Sequence, residues 1–147
     1  MRYNAVIWLE DNNTYSVMFP DLPGCFSMGD TIAEAREHAR EALNLYLEDT
    51  PTKAFARPRV IVRPDDYCEL ESRHIEVFPV EVSKNIAFAL KLRWQREDQG
   101  LTQPAMAARL GIKLSAYQRL ENPSKSNATL KTVQRLENVI CEELVLV

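Results

Sequence analysis

Two short apolar runs open the chain. Residues 3–9 read Tyr-Asn-Ala-Val-Ile-Trp-Leu and residues 14–19 read Thr-Tyr-Ser-Val-Met-Phe. Both are rich in β-branched and aromatic side chains, which fit a pleated, half-buried surface. The polar cluster Glu-Asp-Asn-Asn between them predicts a turn, so the two runs are expected to fold as a β-hairpin. Two prolines and a glycine within Pro20–Gly24 then predict a rigid loop. Residues 25–28 predict a short third strand that stops at Gly29.

Beyond Gly29 the apolar period lengthens. Ile32, Ala35, Ala39, Ala42, Leu43 and Tyr46 recur at helical spacing, behind Thr31 and Glu34 set as a capping box. The other face carries Glu34, Arg36, Glu37, Arg40, Glu41 and Glu48, a mixed-sign set that reads as solvated. Thr50 and Pro51 stop this helix. Residues 59–63 and 74–80 predict two more strands around a polar loop at 64–73. The expected order is β-β-β-α-β-β, an α+β unit with a largely antiparallel sheet.

From Ser83 the pattern is purely helical. Ile86, Leu90, Arg93 and Trp94 predict the inner face of a first helix, which Gly100 ends with a left-handed cap. Thr102 predicts the N-cap of a second helix, in whose first turn Pro104 is tolerated. That helix runs through Met106, Ala107 and Leu110, with Ala107 suited to close packing. Gly111 predicts the tight turn into a third helix over about 114–122. A fourth follows Thr129 or Leu130, with Leu130, Val133, Leu136 and Ile140 inward. Two short helices around a glycine turn, inside a four-helix module, follow the helix-turn-helix plan. The expected division is therefore 1–80 and 81–147.

Charge sharpens that division. The net charge of −3 over 147 residues hides an acidic half and a basic half. Residues 1–80 hold 8 Lys+Arg against 14 Asp+Glu, and residues 81–147 hold 10 against 7. Opposite signs suit partners of opposite charge, nucleic acid for the basic half. Cys25, Cys68 and Cys141 are odd in number and widely spaced, and His38 and His74 belong to no ligand cluster, so reduced thiols and no metal or cofactor are expected. The N-terminus shows no signal peptide and no apolar run long enough to span a membrane, so a cytoplasmic protein is expected.

The residues of the second half resemble the lambda-repressor-like (Cro/Xre) family: Gly-Leu-Thr-Gln at 100–103, Ala-Ala-Arg-Leu-Gly-Ile at 107–112 and Tyr-Gln-Arg-Leu-Glu-Asn at 117–122. Docking geometry puts the third helix of such a domain in the major groove of operator DNA. Its candidate readers are Lys113, Leu114, Ser115, Gln118 and Arg119. Gln118 suits adenine, Arg119 suits guanine or phosphate, and Leu114 either touches a thymine methyl or packs. The second helix, capped by Thr102, turns its positive end towards a phosphate, and the resemblance implies that Gln103 joins that contact. Asn122 and Lys125 are candidate backbone contacts, although Pro123 replaces the family's usual glycine there. Tyr117 and Leu120 read as core and Glu121 as an internal brace, with Arg119 paired either to Glu121 or to another acid. The tail Glu143-Leu144-Val145-Leu146-Val147 is β-prone and lacks a partner strand, so it is expected to pair with a second chain.

The first half resembles the HicB antitoxin family. The resemblance rests on Phe-Pro-Asp-Leu-Pro-Gly-Cys at 19–25, followed by Gly-Asp-Thr at 29–31 and a helix opening. It implies a partial RNase-H-like fold, a HicA-type mRNA-cleaving toxin as partner, and repression of the pair's own promoter; the tail pairing above makes a homodimer the expected form, with a tetramer as the larger alternative. An acidic unit suits a basic toxin, with Asp11, Asp21, Glu37, Glu41, Glu48 and Asp49 as candidate contacts. The loop 20–25 is either part of that surface or a purely structural turn. A nuclease would need about four clustered carboxylates for two metal ions. The first strand has none inside it, so no enzyme and no catalytic residue are expected. The remaining reading is a stand-alone repressor whose first domain senses a small ligand or another protein.

Overall fold

The computed structural model describes residues 1–49 and 55–140, with side chains through Val139. Its strands are β1 (Arg2–Leu9), β2 (Tyr15–Met18), β3 (Phe26–Gly29) and β4 (Ile75–Glu81), with helix α1 (Ile32–Glu48) between β3 and β4. Helices α2 (Lys84–Asp98), α3 (Gln103–Leu110), α4 (Leu114–Glu121) and α5 (Leu130–Ile140) follow. The chain divides into two compact units, with the boundary between Val82 and Ser83. The architecture is α+β.

In the first unit all neighbouring strands are antiparallel, in the order β3-β2-β1-β4. The register sets Tyr3 opposite Val80, Ala5 opposite Phe78, and Ile7 opposite Val17. Because side chains alternate across a strand, Tyr3, Ala5, Ile7, Val17 and Val80 share one face, and all are buried. The stripe Ala35, Ala39, Leu43 and Leu47 of α1 is buried completely. The Arg36 guanidinium lies 5.1 Å above the Phe78 ring and pairs with Glu76, tying α1 to β4. Thr31 Oγ1 accepts the Glu34 N–H at 3.1 Å, and the Glu34 carboxylate accepts the N–H of Asp30 rather than that of Thr31.

The strand expected at 59–63 is absent, and the order is β-β-β-α-β. Val60 is 94% exposed and Ile61 is largely exposed. The segment joins neither edge of the sheet and is held through isolated contacts. The Tyr3 hydroxyl donates to Ala56 O at 2.7 Å, and Asn4 Nδ2 donates to Arg59 O at 3.0 Å. The polar loop expected at 64–73 contains a 3-10 helix at Pro64–Leu70.

The second unit is built on one core: Phe88 and Leu92 of α2, Met106, Ala107 and Leu110 of α3, Tyr117 of α4, and Val133 and Leu136 of α5. From α2 it takes Phe88 and Leu92; of the expected inner face Ile86, Leu90, Arg93 and Trp94, Ile86 and Leu90 are buried as expected but lie outside this cluster. Arg93 and Trp94 are only half-buried. Leu130 is 76% exposed at the start of α5 and does not enter the core. Gly100 and Gly111 have φ of 66° and 64°, the left-handed region that ends a helix without a Cβ clash. At Gly111 the closure has two bonds, Gly111 N–H to Ala108 O and Ile112 N–H to Ala107 O, each 3.1 Å. That Schellman pattern turns the chain into α4. Residues 143–147, expected to form a strand, and Cys141 lie outside the described residues.

Candidate functional site

The helix-turn-helix is organised around one buried carboxylate. Glu121, at the end of α4, accepts from Arg96 Nε at 2.5 Å and Arg96 Nη2 at 3.1 Å. It also accepts from the Tyr117 hydroxyl at 2.5 Å and Gln103 Nε2 at 2.8 Å. Arg96 Nη1 continues to Leu101 O at 2.8 Å. The Arg96 and Glu121 side chains are only 11% and 4% exposed, so the group joins α2, α3 and α4 away from water. Burial pushes the Glu121 carboxyl up. The hydrogen bonds from Arg96, Tyr117 and Gln103 outweigh it and hold the group below the ordinary carboxylate range. Burial and the bond to Glu121 raise the Tyr117 hydroxyl well above its ordinary value.

Glu121 thus occupies the internal position expected of it, but its cation is Arg96 rather than Arg119. The signal for Arg96 lies in the chain: it stands four residues beyond Leu92 and eight beyond Phe88, on the stripe that faces the core. Arg119 is exposed and has no ion pair among the described residues.

With Tyr117 and Glu121 turned inward, the opposite side of α4 is open. Lys113, Leu114, Ser115, Gln118 and Arg119 are all exposed along it. Lys113 is the N-cap of α4 and supplies no side-chain cap. Thr102 caps α3 by accepting the Ala105 N–H at 3.2 Å. Pro104 has no N–H, so among the described residues the Gln103 N–H is the open donor of that first turn. The Gln103 amide bridges inward and outward, donating to Glu121 and accepting from Gln118 Nε2 at 3.4 Å. Asn122 shapes a turn. Its Oδ1 accepts from the N–H and hydroxyl of Ser124 at 3.1 and 2.8 Å, and its carbonyl accepts the N–H groups of Lys125 and Ser126. Its φ of −89° and ψ of 112° are the extended values that a residue before proline prefers. Lys125 is exposed on that turn.

The acids singled out in the first half separate into two groups. Asp11 lies exposed in the β1–β2 turn, and Glu37, Glu41, Glu48 and Asp49 are exposed on or after α1. Asp21 is not with them. It is buried, accepting Arg59 N–H at 2.9 Å and Arg59 Nε at 2.5 Å, and so fastens the Pro-rich loop to the segment after residue 55. Cys25, at the end of the same loop, is buried with its thiol pushed up to about 11 by burial. Cys25 and Cys68 are free thiols. Among the described residues no group of three metal-ligating side chains occurs, and no helix is long and apolar enough to cross a membrane.

Comparison with known proteins gives matches over both units. A family model described as a HicB_like antitoxin of bacterial toxin-antitoxin system matches residues 3–84, and a helix-turn-helix model matches residues 92–140. The antitoxin HicB of Escherichia coli K12 is 28% identical over 151 residues, covering 100% of this chain and 99% of that protein. An uncharacterised 14.9 kDa protein of Haemophilus phage HP1 is 51% identical over 37 residues, which are 25% of this chain and 28% of the phage protein. A solved HicA3 and HicB3 toxin-antitoxin complex is 27% identical with a TM-score of 0.41, covering 56% of this chain and 98% of that one.

Proposed function

This chain belongs to the HicB_like antitoxin family of bacterial toxin–antitoxin systems, and from that premise we propose that it neutralises a HicA-type mRNA-cleaving toxin and represses its own operon. The acidic first unit covers the toxin, and the helix-turn-helix holds operator DNA. The observation that carries the second half of this reading is the outward face of α4, where five exposed side chains are held on a helix braced from behind by buried Glu121.

On this reading α4 enters the major groove. Gln118 pairs with an adenine edge, Arg119 with guanine O6 and N7 or a phosphate, and Leu114 meets a thymine methyl. Lys113 and Ser115 flank them at the start of the helix. Gln103 offers a phosphate its backbone N–H and the amide hydrogen not given to Glu121. Lys125 contacts the backbone as a point charge, and Asn122 does so through its Nδ2 donor while its oxygen holds the turn. Residues 143–147 join two chains, so that a twofold protein meets a palindromic operator. The protein acts by binding and has no catalytic role. Of the two carboxylates that a nuclease reading would draw on, Asp21 and Asp30, the first is engaged by Arg59 and the second is exposed.

Co-expression with the small protein of the adjacent reading frame tests the proposal. Co-purification, rescue of growth, and a shift of the DNA upstream of the pair are the expected results. Absence of both complex and rescue, with DNA binding intact, would leave a stand-alone repressor.

A further inference from the structure

β3 ends the sheet on one side, and the ladder shows which of its groups face outwards. Phe19 N–H donates to Cys25 O at 3.3 Å, and the register sets Val17 opposite Ser27. Hydrogen-bonded pairs alternate along an antiparallel ladder. Ser27 and Gly29 therefore turn their N–H and C=O towards β2, and Phe26 and Met28 turn theirs away. The Met28 carbonyl meets His38 Nδ1 at 2.8 Å. Among the described residues the N–H groups of Phe26 and Met28 and the Phe26 carbonyl have no partner.

The side chains on this edge are also uncovered. Phe26 is 65% exposed and Met28 60%. With Trp8 and Ser16 they line a shallow apolar trough on the sheet face opposite the core. Edge strands are ordinarily blunted by charge, proline or a bulge. The opposite edge, β4, follows that rule with Glu76, Pro79 and Glu81, whereas β3 reads Phe-Ser-Met-Gly. The surroundings of the bare edge are acidic. The His38 contact marks the side of α1 that lies over β3, and Glu34, Glu41 and exposed Leu45 fall on that side at helical spacing. Arg36 and Arg40 are engaged by Glu76 and Glu37, and no described cation pairs with Glu34 or Glu41.

We propose that this edge takes one strand of the neutralised toxin, a reading that rests on the antitoxin function above. The incoming backbone pairs with Phe26 and Met28, its apolar side chains cover Phe26, Met28 and Trp8, and its Lys and Arg residues reach Glu34 and Glu41. This is β-augmentation, with main-chain bonds for affinity and alternate side chains for choice. A second copy of this chain is the wrong occupant, because it would set Glu34 and Glu41 against their own like charges.

Residue-resolved amide exchange on the full chain, alone and with the co-expressed small protein of the adjacent reading frame, tests the edge directly. The Phe26 and Met28 amides are expected to exchange freely alone and to slow at least roughly tenfold in the complex, as one new hydrogen bond each requires. Met28→Pro removes only an outward donor, which an edge strand tolerates. It should weaken the complex about tenfold or more, and Met28→Ala, which keeps the donor, should weaken it less. A complex in which both amides stay fast and Met28→Pro binds at full strength overturns the docking edge and leaves the antitoxin reading intact. No complex and no growth rescue with the unaltered chain overturns both. Concentration-dependent protection in the chain alone would assign the edge to a second copy and overturn the proposed occupant. The exchange measurement needs no substitution, so it decides the question even if Met28→Pro fails to fold.

Discussion

Glu121→Gln is the most informative single change. It is nearly isosteric, yet it replaces one of two carboxylate oxygens with an NH2 that cannot accept. Whichever way the new amide turns, it sets donors against Arg96 and either Tyr117 or Gln103. It also strips the buried guanidinium of Arg96 of its buried counter-charge, leaving only the exposed Glu97 at 3.9 Å, and breaking a buried pair from one side costs about 3–5 kcal/mol. The described part of this unit is some 58 residues long, Ser83–Ile140, and at typical densities such a unit has roughly 3–9 kcal/mol in total. The variant is therefore expected to lower the thermal midpoint of the second unit by at least about 12 °C, at roughly 4–8 °C per kcal/mol. It should abolish operator binding by loosening α4. Circular dichroism melts of the full chain, with the two units followed separately by residue-resolved exchange, give the number. The pH dependence adds a second readout. The folded pKa of Glu121 lies below its ordinary 4.5, so its contribution is complete above that value and is lost as pH falls through the folded pKa. The gap between wild type and Glu121→Gln should accordingly close in acid. A midpoint within about 4 °C of wild type at neutral pH, roughly 1 kcal/mol or less, would show that the buried network does not hold the helices together.

Gln118→Ala and Arg119→Ala should each cost about 1–3 kcal/mol of operator affinity and relax preference at one base position, with the melting midpoint unchanged; equal losses on unrelated DNA would remove both from base reading. Asp21→Ala should destabilise the first unit by about 1–2 kcal/mol, because the Arg59 N–H loses its acceptor. A toxin-binding defect with an unchanged melt would return Asp21 to the interface. At Gly29 an added Cβ would stand 2.4 Å from Ala35 N. Gly29→Ala must therefore push α1 from the sheet, at roughly 1–3 kcal/mol, and a wild-type melt would contradict that close approach. If the tails pair as proposed, the full chain should sediment as a dimer and the chain without residues 143–147 as a monomer. An unchanged dimer would place the interface elsewhere.

Local signals settled much of this protein. Pattern alone marked the hairpin, the Pro-rich loop, the helix behind Thr31 and the glycine turn at 111, because period, caps and left-handed residues are properties of neighbours in the chain. The same locality made the outward residues of α4 legible: once Tyr117 and Glu121 point inward, the 3.6-residue period puts Ser115, Gln118 and Arg119 on the far side. What failed was whatever depended on distant partners. Residues 59–63 have strand-forming side chains, but folding holds Arg59 through Asn4 and Asp21 instead of a ladder, and no local signal reports those distant partners. The face of α2 was set by the buried carboxylate of Glu121, twenty-five residues away from Arg96. Asp21 looked like one surface acid among six until tertiary folding brought Arg59 against it. The bare edge of β3 likewise exists only in the sheet, since the strand order decides which backbone groups are left unpaired. The sequence by itself determined the elements outside 59–70 and the helix-turn-helix; the tertiary structure decided which charges are internal and which edge is open, because pairing and burial depend on contacts between residues far apart in the chain.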